Sequence, residues 1–496
     1  MTNSGNFFSR RLFLGGLLAG PASAALGAPL ERSLVPRPRP QQGDHIADAA
    51  QLLERAGLSG KVAFAIADLG TGALLETHRP ELGLPPASVA KSVTALYALD
   101  ALGPEYRFTT RLIATGPIAG GRLEGDLVLV GGGDPTLDTD QLGDLAAQLR
   151  ANGVVEVAGR FLYHAGALPM VPAIDPDQPP QVGYNPALSG LNLNFNRVHF
   201  EWRRASDGYA VTMDARARRH SPAVGVARML VVDRTTPVYT YASKGGIDEW
   251  TVARGALGAE GARWLPVRRP ALYCAEVFQT LARAQGIALG APEVLKGSAE
   301  AFQIGRIDSA PLSEILHDML KYSTNVTAEV VGLAATIARG GQPQSLAQSG
   351  QAMTEWMASR MGAPKARFVD HSGLGEASRL SPLDLVRTLA IAAPEGQLRP
   401  LLKEVPLRDG SGRPLPEHPV EVVAKTGTLN FVSALAGYIG RPGGRQMAFA
   451  IFSADEERRA RIRPEEMERP PGGRAWLTRA RMLQHDLLRR WAGTYA

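Results

Sequence analysis

A serine and a lysine three residues apart, Ser88-Val89-Ala90-Lys91, could do chemistry together. On a helix such positions share a face, so the Lys91 amine can reach the Ser88 hydroxyl. A serine hydroxyl is a weak nucleophile until a base removes its proton. A lysine can be that base if burial disfavours its charged form. Ala87, Val89, Ala90, Val93 and Ala95 surround the pair with apolar side chains, which suits that need. Alone, the pattern fits a capping serine beside a solvated lysine equally well. Two more clusters follow in order. Ser323-Thr324-Asn325 comes just after Lys321-Tyr322, and Lys425-Thr426-Gly427-Thr428 ends the apolar run Val420–Ala424. A lysine flanked by hydroxyls is a fit partner for a carboxylate. Gly427, lacking a side chain, would let a substrate backbone approach the strand. Each cluster alone also reads as surface decoration. Their ordered co-occurrence points to a serine nucleophile served by a lysine.

The elements that must position these residues can be traced along the chain. With 496 residues, 45% of them hydrophobic, the chain is long enough for two or three domains. From His45 a helical pattern places Ile46, Ala50, Leu53 and Ala56 together. Val62 to Asp68 and Ala73 to His78, joined by Leu69-Gly70-Thr71-Gly72, read as a hairpin. Pro85-Pro86-Ala87 precedes Ser88, which opens an apolar helix running to about Leu99. Residues 106–305 differ: short strand-like runs recur between Gly, Pro and Asp turns. They are Leu127–Val130, Val154–Val157, Val198–Trp202, Tyr209–Met213, Met229–Val232 and Trp250–Val252. This predicts a β-rich insertion of one or two domains. Helices resume at Leu312–Lys321 and Val326–Ala338. Val420–Ala424, Ala434–Ile439 and Met447–Phe452 are close enough to be adjacent antiparallel strands. A final helix, about Arg474 to Trp491, puts Trp476, Ala480, Leu483, Leu487 and Trp491 on one face. That face either packs against the sheet or makes peripheral membrane contact.

Together the three clusters resemble those of the β-lactam-recognising serine enzymes. The long insertion between the first and second is similar to that of the class C low-molecular-mass penicillin-binding proteins. These are D-Ala-D-Ala carboxypeptidases/endopeptidases of peptidoglycan. Gly133-Asp134-Pro135-Thr136-Leu137, Ala187-Leu188-Ser189-Gly190-Leu191-Asn192, Pro311-Leu312-Ser313-Glu314-Ile315 and Asp370-His371-Ser372-Gly373-Leu374-Gly375 add to the resemblance. It runs from about residue 45 to near the C-terminus. It implies an α+β fold, with a β-lactamase/transpeptidase-like domain (an antiparallel sheet flanked by helices) over 44–105 and 306–496. An inserted domain II over 106–180 and 262–305 and a domain III over 181–261 would interrupt it.

The resemblance also implies roles. Ser88 would attack the D-Ala-D-Ala carbonyl to form an acyl-enzyme, and Lys91 would take its proton. Ser323 would relay a proton to the leaving amine. Asn325 would bond the substrate amide and help hold Lys91. Lys425, Thr426 and Thr428 would receive the terminal carboxylate. The backbone N–H groups of Ser88 and Thr428 would form the oxyanion hole. Peptidoglycan peptides are the implied substrates, and β-lactams the implied covalent inhibitors. No cofactor is implied. Two departures stand out. Thr324 occupies a position where Asp or Asn is common. Ile174-Asp175-Pro176-Asp177-Gln178-Pro179-Pro180 lacks the tryptophan often found there in members preferring a diaminopimelate side chain. Asp175 or Asp177 either meets a cationic side chain or belongs to a solvated loop.

Other readings are narrowed by composition. A formal charge of +6, from 54 basic and 48 acidic residues, is mild for this length. No basic run interleaved with aromatics suggests nucleic acid, and weak attraction to an anionic polymer stays open. The single cysteine, Cys274, excludes an intramolecular disulfide and is either a buried hydrophobe or a reactive thiol. The nine histidines lack His-x-x-x-His spacing, so no metal is expected. Gly131-Gly132-Gly133-Asp134-Pro135 lacks the lysine of a phosphate loop and reads as a turn. Asp370-His371-Ser372 looks like a compressed triad, but adjacent side chains rarely converge and no Gly-x-Ser-x-Gly elbow occurs. Arg379 beyond it either lines the groove or is an exposed structural arginine.

At the N-terminus, Ser9-Arg10-Arg11-Leu12-Phe13-Leu14 precedes an apolar, Gly/Ala-rich run with cleavage offered after Ala24 or Ala28. Residues 1–28 thus resemble a twin-arginine export signal, with an ordinary secretory signal as the alternative, and a periplasmic protein is expected. Residues 29–43 read as a spacer. Rival readings are a β-lactamase or esterase of the same superfamily, or a non-catalytic cell-wall-binding relative. The insertion argues against a β-lactamase, and complete motifs argue against a dead enzyme.

Overall fold

Three consecutive strands, Glu421–Leu429, Val432–Gly440 and Gln446–Ala454, form an antiparallel meander. The structure, a computed structural model, describes residues 47–297, 301–409 and 411–496; the expected signal and spacer lie outside the described residues. The N-terminal hairpin, Lys61–Asp68 with Leu74–His78, joins the meander by pairing Lys61–Asp68 against Gln446–Ala454. Lys403–Glu404 caps the far edge, giving a six-stranded sheet. This is the antiparallel sheet expected of the α+β fold.

Alternation along each strand sends neighbouring side chains to different cores. Ala63, Ala65, Ala434, Ala436, Ala448 and Ala450 face one side. Phe64, Ile66, Leu435, Phe449 and Ile451 face the other. The large-residue face is covered by the final helix, Gly473–Thr494, through Leu483, Leu487 and Trp491. Burial of each such side chain contributes about 2 kcal/mol. The apolar stripe on this helix is therefore spent on the sheet. The small-residue face lets helices come close. Ala90–Leu102 lies there, buried at every position from Ala90 to Leu99, beside Leu312–Tyr322, Asn325–Ala338, Leu346–Arg360 and Pro382–Ala392. Among the described residues no helix is long and apolar enough to cross a membrane.

Among the described residues, the stretch between the first two motifs builds a five-stranded sheet and three three-stranded sheets. Its ends lie side by side: Thr109–Ala114 pairs antiparallel with Phe302–Asp308. Most expected strands are present and somewhat longer, as with Arg197–Ala205 and Ile247–Ala253. Val154–Val157 is an exception, reduced to Glu156–Val157. The Val154 N–H instead bonds Leu149 O, closing the end of a helix. That helix, Thr139–Ala151, and Pro270–Ala284 share the core of the insertion; the sequence pattern flagged neither. Cys274 lies fully buried on the second, and burial pushes its thiol well above the usual range.

Candidate active site

Ser88 does not open the α-helix as the pattern suggested. It sits in a single tight turn, Ala87–Val89, ahead of the Ala90–Leu102 helix. Ala87 has φ 47°, a left-handed conformation costing an alanine about 1–2 kcal/mol. The surroundings hold the turn in place. A Cβ on Gly373 would collide with the Ala87 carbonyl, and one on Gly427 would lie 2.8 Å from Pro86 O and 3.1 Å from Ser88 N. Gly427 was expected to make room for substrate. It makes room first for the protein's own chain. The lysine cluster also lies within the strand Glu421–Leu429, not at its end.

Lys91 is completely buried. Its Nζ donates to Ser88 Oγ at 2.9 Å, Asn325 Oδ1 at 2.8 Å and Ser372 O at 2.8 Å. All three ammonium donors thus have acceptors. Burial, helped by the nearby positive charge of Lys425, pushes the Lys91 amine down to about 7; Glu329 and Asp370 pull the other way. A lysine so placed is free base for much of the time near neutrality.

The second cluster bridges two helices. Ser323 ends Leu312–Tyr322 with φ 60°, and Asn325 begins Asn325–Ala338. This sharp reversal aims Ser323 Oγ at Lys425 Nζ, 3.0 Å away, and Asn325 Oδ1 at Lys91. Asn325 Nδ2 donates to the carbonyl of Tyr184, so the insertion touches the site directly. Lys425 Nζ also donates to Thr426 O at 2.9 Å. Burial, with the like charge of Lys403 second, lowers the Lys425 amine to about 8. Ser88, Ser323, Asn325 and Thr428 line one cavity of about 690 Å³. Residues of all three clusters therefore meet at one cavity, with Lys91 and Lys425 buried behind it, whereas the exposed Thr426 is not part of the cavity wall.

Two buried carboxylates lie beneath them: Asp370, which the sequence offers only as part of the Asp370–Gly375 stretch, and Glu329, which sequence reasoning missed. Glu329 accepts the N–H groups of His371 and Ser372 on its two oxygens, each at 2.9 Å. Asp370 accepts from Gly373 at 2.8 Å and from Gly375. Burial raises both carboxyl groups, and Asp370 raises Glu329 further. The signal was available: Glu329 is the one carboxylate in the otherwise uncharged run Val326–Ala338. Asp370-His371-Ser372 forms no triad. His371 is fully buried and pushed down to about 3 by that burial, and its Nε2 meets Ser349 Oγ at 2.7 Å. Ser372 serves through its carbonyl.

The cavity wall holds further surprises. Asp175 is buried and held by Gln178 and Asn185, whereas Asp177 lines the cavity. Arg379 pairs with Glu456 at 2.8 Å. Glu468 accepts from both Gln181 and Arg263, tying the insertion to the segment ahead of the final helix.

Helices on both faces of an antiparallel sheet, with the site at one sheet edge, define the β-lactamase/transpeptidase-like fold. Penicillin-binding protein 4 (dacB) of Haemophilus influenzae shares it: TM-score 0.69 at 20% identity, covering 82% of this chain and 93% of that one. The chain belongs to the D-Ala-D-Ala carboxypeptidase 3 (S13) family, whose model matches residues 45–469. It is similar to carboxypeptidase Rv3627c of Mycobacterium tuberculosis, 28% identical over 420 residues, 79% of this chain and 76% of that protein. It is also similar to the D-alanyl-D-alanine carboxypeptidase of an Actinomadura species, 28% identical over 443 residues, 82% of this chain and 80% of that protein. At the level of the family, this is a serine hydrolase of the D-Ala-D-Ala carboxypeptidase/endopeptidase type, among the class C penicillin-binding proteins.

Proposed function

We propose that the chain cleaves the D-Ala-D-Ala bond of peptidoglycan stem peptides, or the cross-links made from it, through an acyl-enzyme on Ser88. The observation that carries this reading is the Lys91 amine, buried, pushed down to about 7 and 2.9 Å from the Ser88 hydroxyl. As free base it takes the serine proton while Oγ attacks the carbonyl carbon. The backbone N–H groups of Ser88 and Thr428 stabilise the resulting oxyanion. Ser323, bonded to Lys425, gives its hydroxyl proton to the leaving amine as the C–N bond breaks and takes in its place the proton that Lys91 removed from Ser88, which returns Lys91 to free base. Asn325 holds Lys91 and meets the substrate amide. Water then hydrolyses the ester by the reverse proton path.

The edge of the Glu421–Leu429 strand supports a substrate laid beside it. Lys403–Glu404 pairs only with Ala424 and Val423, so the residues from Lys425 onward keep a free edge for an added strand. Lys425, Thr426 and Thr428 then receive the carboxylate beyond the scissile bond, with Gly427 between them. β-Lactams acylate Ser88 in the same site. The Haemophilus relative, solved in complex with a β-lactam, supports this. The side-by-side ends of the insertion support its division from the catalytic domain at about 105, while the boundary expected at 306 falls inside the strand Phe302–Asp308, which pairs with Thr109–Ala114. The twin-arginine-like segment supports a periplasmic location.

The decisive experiment incubates the purified protein with muropeptides beside a Ser88→Ala variant and identifies products by mass. Loss of terminal D-Ala, or release of a cross-linked partner, by the wild type alone is expected. A variant with full activity overturns the mechanism. Rapid turnover of penicillin, in place of a lasting adduct, would favour a β-lactamase.

A further inference from the structure

The cavity has two arginines whose charge is already answered. Arg263 pairs with Glu468 at 3.3 Å, and Arg459 with Glu376 at 3.7 Å. A third arginine lies beside it under different terms. Arg481, exposed on the final helix, donates from Nη2 to Thr428 Oγ1 at 3.3 Å. A neutral hydroxyl, not a carboxylate, is the partner it finds. Leu477, one helical turn earlier on the same face, lines the cavity with Thr428.

The position of this helix is fixed by buried contacts on either side of Arg481. Trp476 Nε1 donates to Ser59 O at 3.1 Å, and Gln484 Nε2 donates to Ser433 Oγ at 3.0 Å. Arg481 therefore stands on a rigid element against the hydroxyl face of the lysine strand.

Lys425 alone is a poor match for a substrate carboxylate. Two of its three donors are committed to Ser323 Oγ and Thr426 O. Burial and Lys403 also lower its amine to about 8, so it loses charge as the solution turns alkaline. A guanidinium keeps its charge throughout and presents a planar fork that matches a carboxylate. Lys91 is committed to Ser88, Asn325 and Ser372, and Lys403 is exposed and lies across from Ala424, on the far side of the cluster from Thr428.

We propose that Arg481 is a substrate-binding residue, whose guanidinium reaches past Thr428 to the carboxylate next to the scissile bond and selects for substrates that carry one. This rests on the proposed reaction at Ser88. It adds a specificity determinant from the C-terminal helix, outside the three motifs.

The test measures the second-order rate of acylation by benzylpenicillin and by its uncharged methyl ester, in the wild type, Arg481→Gln and Arg481→Lys. The wild type should react faster with the free acid. Arg481→Gln should lose about tenfold with the acid and less than about twofold with the ester, the size of one charge-assisted hydrogen bond. Arg481→Lys should recover part of the loss. Equal slowing of both ligands, or no change with either, overturns the role of Arg481 while leaving the serine mechanism standing. Failure of the wild type to be acylated by either ligand overturns the reaction on which it rests.

Discussion

The carbonyl of Ser372 accepts a hydrogen bond from Lys91 at 2.8 Å, while the N–H of Ser372 is held by Glu329 at 2.9 Å. The loop that fixes the lysine is thus itself fixed by a buried carboxylate. Glu329→Gln keeps the shape but turns an amide N–H toward a backbone N–H. It is expected to cost about 1–3 kcal/mol, seen as a lower urea midpoint at unchanged slope. Acylation should slow with it, because Lys91 loses a rigid acceptor.

The pH dependence has two limbs of opposite sign. Below about 7 Lys91 is protonated and accepts no proton from Ser88, so acylation rises as pH passes that value. Above about 8 Lys425 loses its charge and holds a carboxylate less well, so the rate falls again. The lysines interact, so the two midpoints belong to the pair. Penicillin acylation rates across the range should trace a bell. With an uncharged ester, the acid limb should remain and the alkaline limb should flatten.

Lys91→Arg keeps charge and hydrogen bonds but cannot release a proton near neutrality. Acylation should fall by at least about 10²-fold, measured by covalent labelling with a fluorescent penicillin. Near-normal labelling would remove Lys91 from the role of base.

Gly427→Ala puts a methyl group 2.8 Å from Pro86 O and 3.1 Å from Ser88 N. The serine turn must shift, and a displacement of under an ångström can cost about 10²-fold in rate. The expected result is a large drop in kcat/KM with Tm reduced by only a few degrees, about 1–3 kcal/mol of overpacking. Wild-type kinetics would mean the turn has slack.

Much of this was legible from side-chain types alone. The catalytic clusters announce themselves because chemistry demands particular residues, and the sheet strands do so through alternation. The helices Thr139–Ala151 and Pro270–Ala284 escaped because short apolar runs in a turn-rich stretch fit either element until tertiary packing decides. Glu329 was passed over because a lone acid in an apolar helix gives no hint of the loop it will face. Arg481 lies in a helix rich in arginines, and only the register of that helix on the sheet singles it out.

The strand Lys61–Asp68 lies inside its sheet, between Leu74–His78 and Gln446–Ala454. Its inner neighbour therefore leaves the ribosome about three-quarters of the chain later. Until then it offers a bare, apolar edge. Pairings of such long range are slow to form because loop closure must precede the contacts that reward it. The insertion, whose two ends meet each other, can settle earlier and shorten the effective tether. Chains released before Ala454 would have an exposed strand edge prone to association with other chains.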